Sequence, residues 1–442
     1  MTTFSFKTIG CRLNQAETAT MCAMIIAAGD RVVEFGKPCD ICIIHGCAVT
    51  ARAEKNTWRL ARAAQKTGLA RQVAVAGCAA EMAAARRHPP GTALLLRQAD
   101  KLDLVRLRLA LGLPPALTTG HSVMPLPSGT RALVRVQDGC DFRCSYCVVP
   151  LTRGAPRSRP LPEIMKEIQH LEGIGCREIV LTGANLGCYN WQGTRLRQLL
   201  ENIVCNSGIR RVRLSSIEIS TAECEVIDCM ADNQAICRFL HLPLQSGSDT
   251  ILKSMRRRYD RRHYIDTVTY AMDKLGTCGL GTDVLVGFPG ETDTDFEDTF
   301  RLLNDLPFSN LHVFTFSPRP GTPAATMPEQ VPAAAVHERA ARLRELGAAK
   351  RASFARTFVN RPVEVLVEQT PPNATDAAGW TGEYLYARIP PGSMGKIPPN
   401  SIVKCRPRST QNSELLDCDI LSSGLPQKNR EQLYIISCNQ TT

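Results

Sequence analysis

No apolar run in this 442-residue chain approaches the ~18–20 residues that a membrane-crossing helix needs. The opening MTTFSFKTIG lacks a basic segment followed by an apolar one, so secretion is not expected and a cytoplasmic location is. There is no repeat of solenoid period and no low-complexity block. With 44% hydrophobic and 21% charged residues, the chain is neither disordered nor collagen-like. Acids are the scarcer charge, 42 against 53 Lys plus Arg. The resulting +11 suits a polyanion such as nucleic acid, although it is a weak signal alone. What the chain has in excess is cysteine, 19 in all. A small secreted protein would spend them on disulfides. A large chain with no export signal and an odd number points instead to metal or catalytic thiols in a reducing compartment.

The length suggests about three domains at roughly 150 residues each, and the pattern divides accordingly. Residues 1–115 alternate strand-like and helix-like runs: FSFKTIG, CDICIIHG and QVAVAG each precede a helical stretch, which predicts a parallel sheet flanked by helices. A proline-rich linker covers 113–130. From about 126 to 356 six strand-like runs, 132–137, 178–183, 211–216, 239–244, 282–288 and 311–316, alternate with helical segments. Six consecutive βα units predict a partial parallel barrel, closed at its end by a helix over 333–355. Residues 357–425 read as short strands between Pro/Gly/Asn-rich turns, a small all-β barrel of the oligonucleotide-binding type, and 426–442 as a frayed tail.

Two cysteine constellations carry the chemistry. Cys140, Cys144 and Cys147 form C-x3-C-x2-C directly after the first strand of the six-unit region. Three thiolates on one loop can hold three irons of a cubane cluster and leave the fourth iron open. A structural zinc wants a fourth protein ligand, and no His or Cys lies just downstream, the first being His170 and Cys176. Cys11, Cys47 and Cys78 each follow a glycine, and each Gly-Cys ends a strand-like run. Successive parallel strands present their carboxyl ends on one edge, so these thiols are expected to converge as a second three-thiolate site. Cys39-x2-Cys42 competes for metal, but its side chains fall within a buried strand run, and packing is the default for the remaining cysteines.

C-x3-C-x2-C with Tyr146 before the last cysteine resembles the radical S-adenosylmethionine (SAM) superfamily signature. Three further stretches extend the resemblance to the methylthiotransferase family: GCRLNQAET (10–18), HGCAVTARAEK (45–55) and GCAAE (77–81). So do GCDFRCSYCVVPLTRGAPRSR (139–159), LTGANLG (181–187), RLSSIE (213–218) and HLPLQSGSDTILKSMRRRY (241–259). It covers the chain to about residue 425. The resemblance implies two [4Fe-4S] clusters, one on each cysteine triad, and SAM on the open iron of the Cys140/Cys144/Cys147 cluster, cleaved there to a 5′-deoxyadenosyl radical. It also implies a TRAM-like RNA-binding barrel at the C-terminus. Tyr146 would lie beside the adenine of SAM, and Gly183 and Asn185 are candidate SAM contacts, with a plain β-turn as the rival. Gln245, Ser246 and Ser248 are weaker candidates. No side chain stands out as a general base.

Cys11-Arg12-Leu13-Asn14-Gln15 resembles the branch acting on threonylcarbamoyladenosine in the tRNA anticodon loop; the alternatives are isopentenyladenosine in tRNA or, less so, a ribosomal protein side chain. The resemblance further implies an electron donor such as flavodoxin or ferredoxin, and neither a membrane nor a DNA partner. For RNA contact the candidates are the basic stretches Arg153–Arg159, Arg256–Arg262 and Lys404–Arg408, with Trp380, Tyr384 and Tyr386 as base-stacking candidates. Solvated surface charge and strand core are the plain alternatives. The proline-rich loops TPPNATDAAG and PPGSMGKIPP depart from the expected barrel.

Overall fold

The computed structural model describes residues 1–86, 93–115, 130–222, 224–368, 375–390, 397–411 and 415–424. Most of the expected linker, the polar tail and much of both proline-rich loops lie outside the described residues.

The first unit is a five-stranded all-parallel sheet, ordered Arg31–Val33, Thr3–Thr8, Cys39–Gly46, Ala70–Gly77, Leu94–Leu96. Its apolar runs are buried on both faces, as parallel strands covered by helices must be. Phe4, Phe6, Ile41 and Ile43 pack on one face, and Ile44, Val73 and Val75 on the other. The flanking helices start on local signals. Thr50 accepts the Ala53 N–H to cap Ala51–Lys66, whose first turn carries Glu54.

All six strands expected in the central region are present. They form two parallel three-stranded sheets, Arg131–Arg135 with Glu178–Thr182 and Arg211–Leu214, then Phe239–His241 with Gly279–Val286 and Asn310–Thr315. A parallel bridge between Val212 and Ile236 joins them into a partial barrel. The alternation is strict: Leu280, Val284 and Val286 face the helices, while Gly281, Asp283 and Leu285 face the lumen. Helix Arg12–Ala27 of the first unit packs against strands Arg131–Arg135 and Glu178–Thr182, so the two units share a boundary. Helix Ala333–Arg356 packs along the last strand and leads into a closed five-stranded barrel.

That small barrel does more than follow the larger one. Its Thr381–Tyr384 turn reaches the amino ends of the central strands. The buried Arg213 guanidinium donates to the Thr381 and Gly382 carbonyls (2.9 and 3.0 Å) and to Glu178 (2.8 Å). Tyr384 packs tilted against Phe239 at 4.7 Å, stacks on Trp380 at 4.6 Å, lies under Arg213, and accepts a 2.6 Å bond from Arg12. Tyr384 is therefore an interdomain plug and not a free base-stacking platform. Trp380 and Tyr386 line a hollow of about 310 Å³ with Arg351 and Leu415.

Candidate active site: two thiol triads

Parallel register delivers the first triad. Thr8 pairs with His45, His45 with Ala76, and Gly46 with Gly77, so three neighbouring strands end at one level. Cys11, Cys47 and Cys78 follow at once, and burial together with the charges of the other two thiols pushes Cys47 up to about 12. The glycines are required by geometry. Gly77 has φ +82°, and a Cβ there would fall 2.5 Å from the Gly46 carbonyl. Cys11 caps helix Arg12–Ala27 and Cys78 opens helix Cys78–Ala85, so two of the thiols sit at helix amino ends; burial raises the Cys11 thiol.

The second triad lies on the loop after the first barrel strand. Cys140 and Cys147 each accept the N–H of the residue two ahead, Phe142 at 3.4 Å and Val149 at 3.5 Å, as Cys47 does from Val49 at 3.4 Å. Burial, then Cys144 and Cys140, pushes the Cys147 thiol up to about 12. Crowded thiols this hard to ionise become thiolates when a cation takes the place of the protons. Among the described residues neither triad is drawn within 4.8 Å throughout. One zinc with bonds of about 2.3 Å would hold its thiolates about 3.8 Å apart, so neither triad is set for a single zinc ion, whereas three thiolates without a fourth protein ligand suit an iron–sulfur cluster with one open iron.

The triads are neighbours. Helix Val149–Arg153, which begins two residues after Cys147, packs on helix Cys78–Ala85, and Cys78 and Met82 touch Val148. Each triad also has its own buried arginine. Arg153 bonds Glu17 (2.9 and 3.1 Å), Asp138 (2.8 Å) and Asn14 (2.7 Å), with its side chain 2% exposed. Lys101, also buried, bonds Glu17 at 2.7 Å. Burial works to raise Glu17, but Lys101 and then Arg153 hold it well below the usual carboxylate range. His45, in the same buried group, is pushed down to about 4 by burial and by Lys101, so it is neutral. Beside the other triad, Arg257 donates to Cys144 Sγ at 3.3 Å and to the Tyr146 hydroxyl at 3.4 Å, and pairs with Glu218.

These arginines correct the reading of two basic stretches as RNA contacts. Arg153 and Arg257 are buried and fully engaged, whereas Arg157, Arg256, Arg258 and Arg262 are exposed. Lys404, Arg406 and Arg408 alternate along one exposed strand face. The signal for Arg153 was present in the first motif: Asn14 and Glu17 are polar on the buried stripe of a helix, and a buried acid needs a cation.

Among the other expected site residues, Tyr146 packs edge-on to Phe288 and beside Leu285. Gly183 and Asn185 lie at the carboxyl end of the second barrel strand, both against Gln137. The Asn185 N–H donates to Gln137 Oε1 at 2.9 Å, and a Cβ on Gly183 would fall 2.8 Å from it. Ser248 caps helix Asp249–Ser254 and bonds Asp295 at 2.6 Å, Ser246 lies against Thr299, and Gln245 is held at φ +67°. Cys39 and Cys42 are buried in the sheet, with Cys39 Sγ 3.1 Å from the Ser5 hydroxyl. A cleft of about 720 Å³ lies between the two units, lined by Arg97, Gln98, Arg135, Arg153 and Arg157 among others.

A half-barrel of parallel strands carrying three thiols on its first loop defines a class, the radical SAM enzymes. Residues 134–303 match the Radical SAM superfamily, and residues 3–91 match Uncharacterized protein family UPF0004. The radical S-adenosylmethionine methyltransferase TsrM of Kitasatospora setae shares the fold, with a TM-score of 0.52 over 74% of this chain and 77% of its own at 14% identity.

Within that class the chain belongs to the methylthiotransferase family, enzymes that transfer sulfur and a methyl group. It is 32% identical over 406 residues (87% of this chain, 90% of the relative) to the threonylcarbamoyladenosine tRNA methylthiotransferase MtaB of Bacillus subtilis. It is 34% identical over 394 residues (85% and 88%) to the tRNA-2-methylthio-N(6)-dimethylallyladenosine synthase of Moorella thermoacetica. Its cofactors are SAM and two [4Fe-4S] clusters.

Proposed function

We propose that this protein converts N6-threonylcarbamoyladenosine beside the tRNA anticodon to its 2-methylthio derivative, with Cys140, Cys144 and Cys147 holding the cluster that binds SAM and Cys11, Cys47 and Cys78 the auxiliary one. The observation that carries this reading is the adjacency of two thiol triads across helices Val149–Arg153 and Cys78–Ala85. Clusters held by these two triads would supply reductive radical chemistry with SAM and a sulfur for transfer, the chemistry needed at an adenine C2–H that acid–base catalysis cannot activate.

The chain's own residues position and exclude. Arg153 fixes the helix after Cys147 to the helix after Cys11 through Asn14 and Glu17, which sets the spacing of the two sites. Arg257 orients the Tyr146 ring and hydrogen-bonds a ligand sulfur. Tyr384 closes the lumen opposite the cysteine loop. The exposed Arg157, the Lys404/Arg406/Arg408 face and the Trp380/Tyr386 hollow form the RNA-binding surface. A flavodoxin- or ferredoxin-type protein supplies electrons, and a reducing cytoplasm keeps the six thiols competent.

Relatives named for both tRNA substrates match this chain about equally, and the residues after Cys11 favour threonylcarbamoyladenosine. An anaerobic assay of the reconstituted, reduced protein with SAM and tRNA pools bearing one or the other nucleoside tests this. A methylthio mass gain confined to the threonylcarbamoyl pool supports it; a gain confined to the isopentenyl pool overturns the substrate.

A further inference from the structure

The residues after Cys11 do not themselves touch a substrate placed in the lumen. Arg12 turns to Tyr384 and Asn14 to Arg153. The lumen offers a different reader.

Leu240 and Leu242 face the helices, as do Val284, Val286, Leu311 and Val313, so His241, Asp283 and His312 point inward. Asp283 pairs in register with His312, and His241 lies on the other neighbouring strand. Floor to mouth, the lumen has Phe239 on Tyr384, then this polar row, then Leu285 and Phe314, with Leu285 in the cluster that packs Tyr146. Two residues along a strand span about 7 Å, so the row lies one step below the radical site.

Its hydrogen-bond roles are fixed from outside. Arg351, which only donates, bonds Asn310 Oδ1, so Asn310 Nδ2 faces His312 Nε2 at 3.0 Å and donates to it. His312 Nδ1 therefore carries the proton and donates to Asp283 Oδ1 at 3.2 Å. Both ring nitrogens of His312 are thus engaged, Nε2 as acceptor and Nδ1 as donor, and neither is left for a metal. His241 differs: it is only 6% exposed, its Nε2 faces Asp283 at 3.3 Å, and its Nδ1 has no hydrogen-bond partner. Burial works to raise Asp283, but the two imidazoles hold it well below the usual carboxylate range, so it is an anion. The row presents two acceptors, a lone pair of His241 and the second carboxylate oxygen of Asp283.

We propose that His241 and Asp283, set by His312, form the pocket that reads the N6 substituent of the substrate adenosine by accepting two hydrogen bonds from it. This rests on the function proposed above. A threonylcarbamoyl group offers ureido N–H groups and a hydroxyl to this row, with its own carboxylate turned away from Asp283, whereas an isopentenyl group adds no donor to N6–H. Leaving buried acceptors unmet is what makes such a site selective.

The test uses the cluster-loaded protein without SAM and measures Kd for anticodon stem-loops carrying threonylcarbamoyladenosine or plain adenosine. Wild type prefers the modified loop. His241→Phe cuts that preference about 10- to 100-fold, and His241→Asn, which keeps an acceptor, restores most of it. Iron content and melting temperature identify any variant that fails to fold, in which case Asp283→Asn decides on the same ratio. An unchanged preference in a folded variant, with wild type still methylthiolating threonylcarbamoyladenosine, overturns the pocket and leaves the function standing. Wild-type turnover of isopentenyladenosine alone overturns both. One equivalent of a non-iron metal that is lost in Asp283→Asn makes the row a metal site and overturns the acceptor reading.

Discussion

Each triad consists of three thiols with a buried arginine beside it, but the two are held in different ways. Cys11, Cys47 and Cys78 come from three strands and depend on register across a sheet. Cys140, Cys144 and Cys147 come from one loop, and local N–H···S bonds shape it. The arginines divide similarly. Arg257 donates straight to Cys144 Sγ, whereas the Arg153 side chain bonds only Asn14, Glu17 and Asp138 and so links two segments. One triad carries its electrostatic partner on itself; the other is assembled by the fold, and its arginine sets where it stands relative to the first.

The strongest way to break this comparison is to remove the loop triad. Replacing Cys140, Cys144 and Cys147 together with Ala should abolish 5′-deoxyadenosine and methylthiolated tRNA alike, read by mass spectrometry; any radical product above background would reassign the site. Arg153→Ala should act on coupling: methylthiolation falls about 100-fold while SAM is still cleaved, because effective positioning is lost. The same variant takes one of two cations from Glu17, leaves buried Asp138 with Arg157 as its only cation, at 3.5 Å, and should cost about 3 kcal/mol in chemical denaturation. If product and radical fall in step, Arg153 does not set the spacing.

Arg257→Met sharpens the other half. Loss of a hydrogen bond to a cluster sulfur should move the midpoint potential of that cluster to lower values and leave the other cluster's signal in place, followed by redox-poised EPR. An unmoved potential would reduce Arg257 to packing. The smallest effect is expected from Tyr384→Phe, which removes one bond from Arg12: about 1 kcal/mol of stability, with unchanged tRNA affinity. A marked loss of RNA binding would return Tyr384 to the list of base-stacking residues.

What could be read from sequence follows the range of the interactions. The three Gly-Cys pairs and the C-x3-C-x2-C loop were legible because strand ends and loop spacing are local, and the six barrel strands because burial leaves apolar runs. Arg153 and Arg257 fall among the candidate RNA contacts in the sequence because the acids that bury them are remote, Glu17 lying 136 residues from Arg153 and Glu218 39 residues from Arg257. His241, Asp283 and His312 have no local spacing at all; only the parallel pairing of three strands brings them together. Tyr384 alternates as a barrel strand residue would, and nothing nearby in the chain shows that its turn enters another domain.

The most direct test of two separately held sites is the Cys78→Ala variant, reconstituted anaerobically, reduced, and supplied with SAM and threonylcarbamoyladenosine tRNA. The account predicts that it loses about half its iron, still forms 5′-deoxyadenosine, and makes no methylthio product. Methylthiolated tRNA from that variant would contradict the auxiliary site, and loss of 5′-deoxyadenosine would show that the two triads do not work as separate halves.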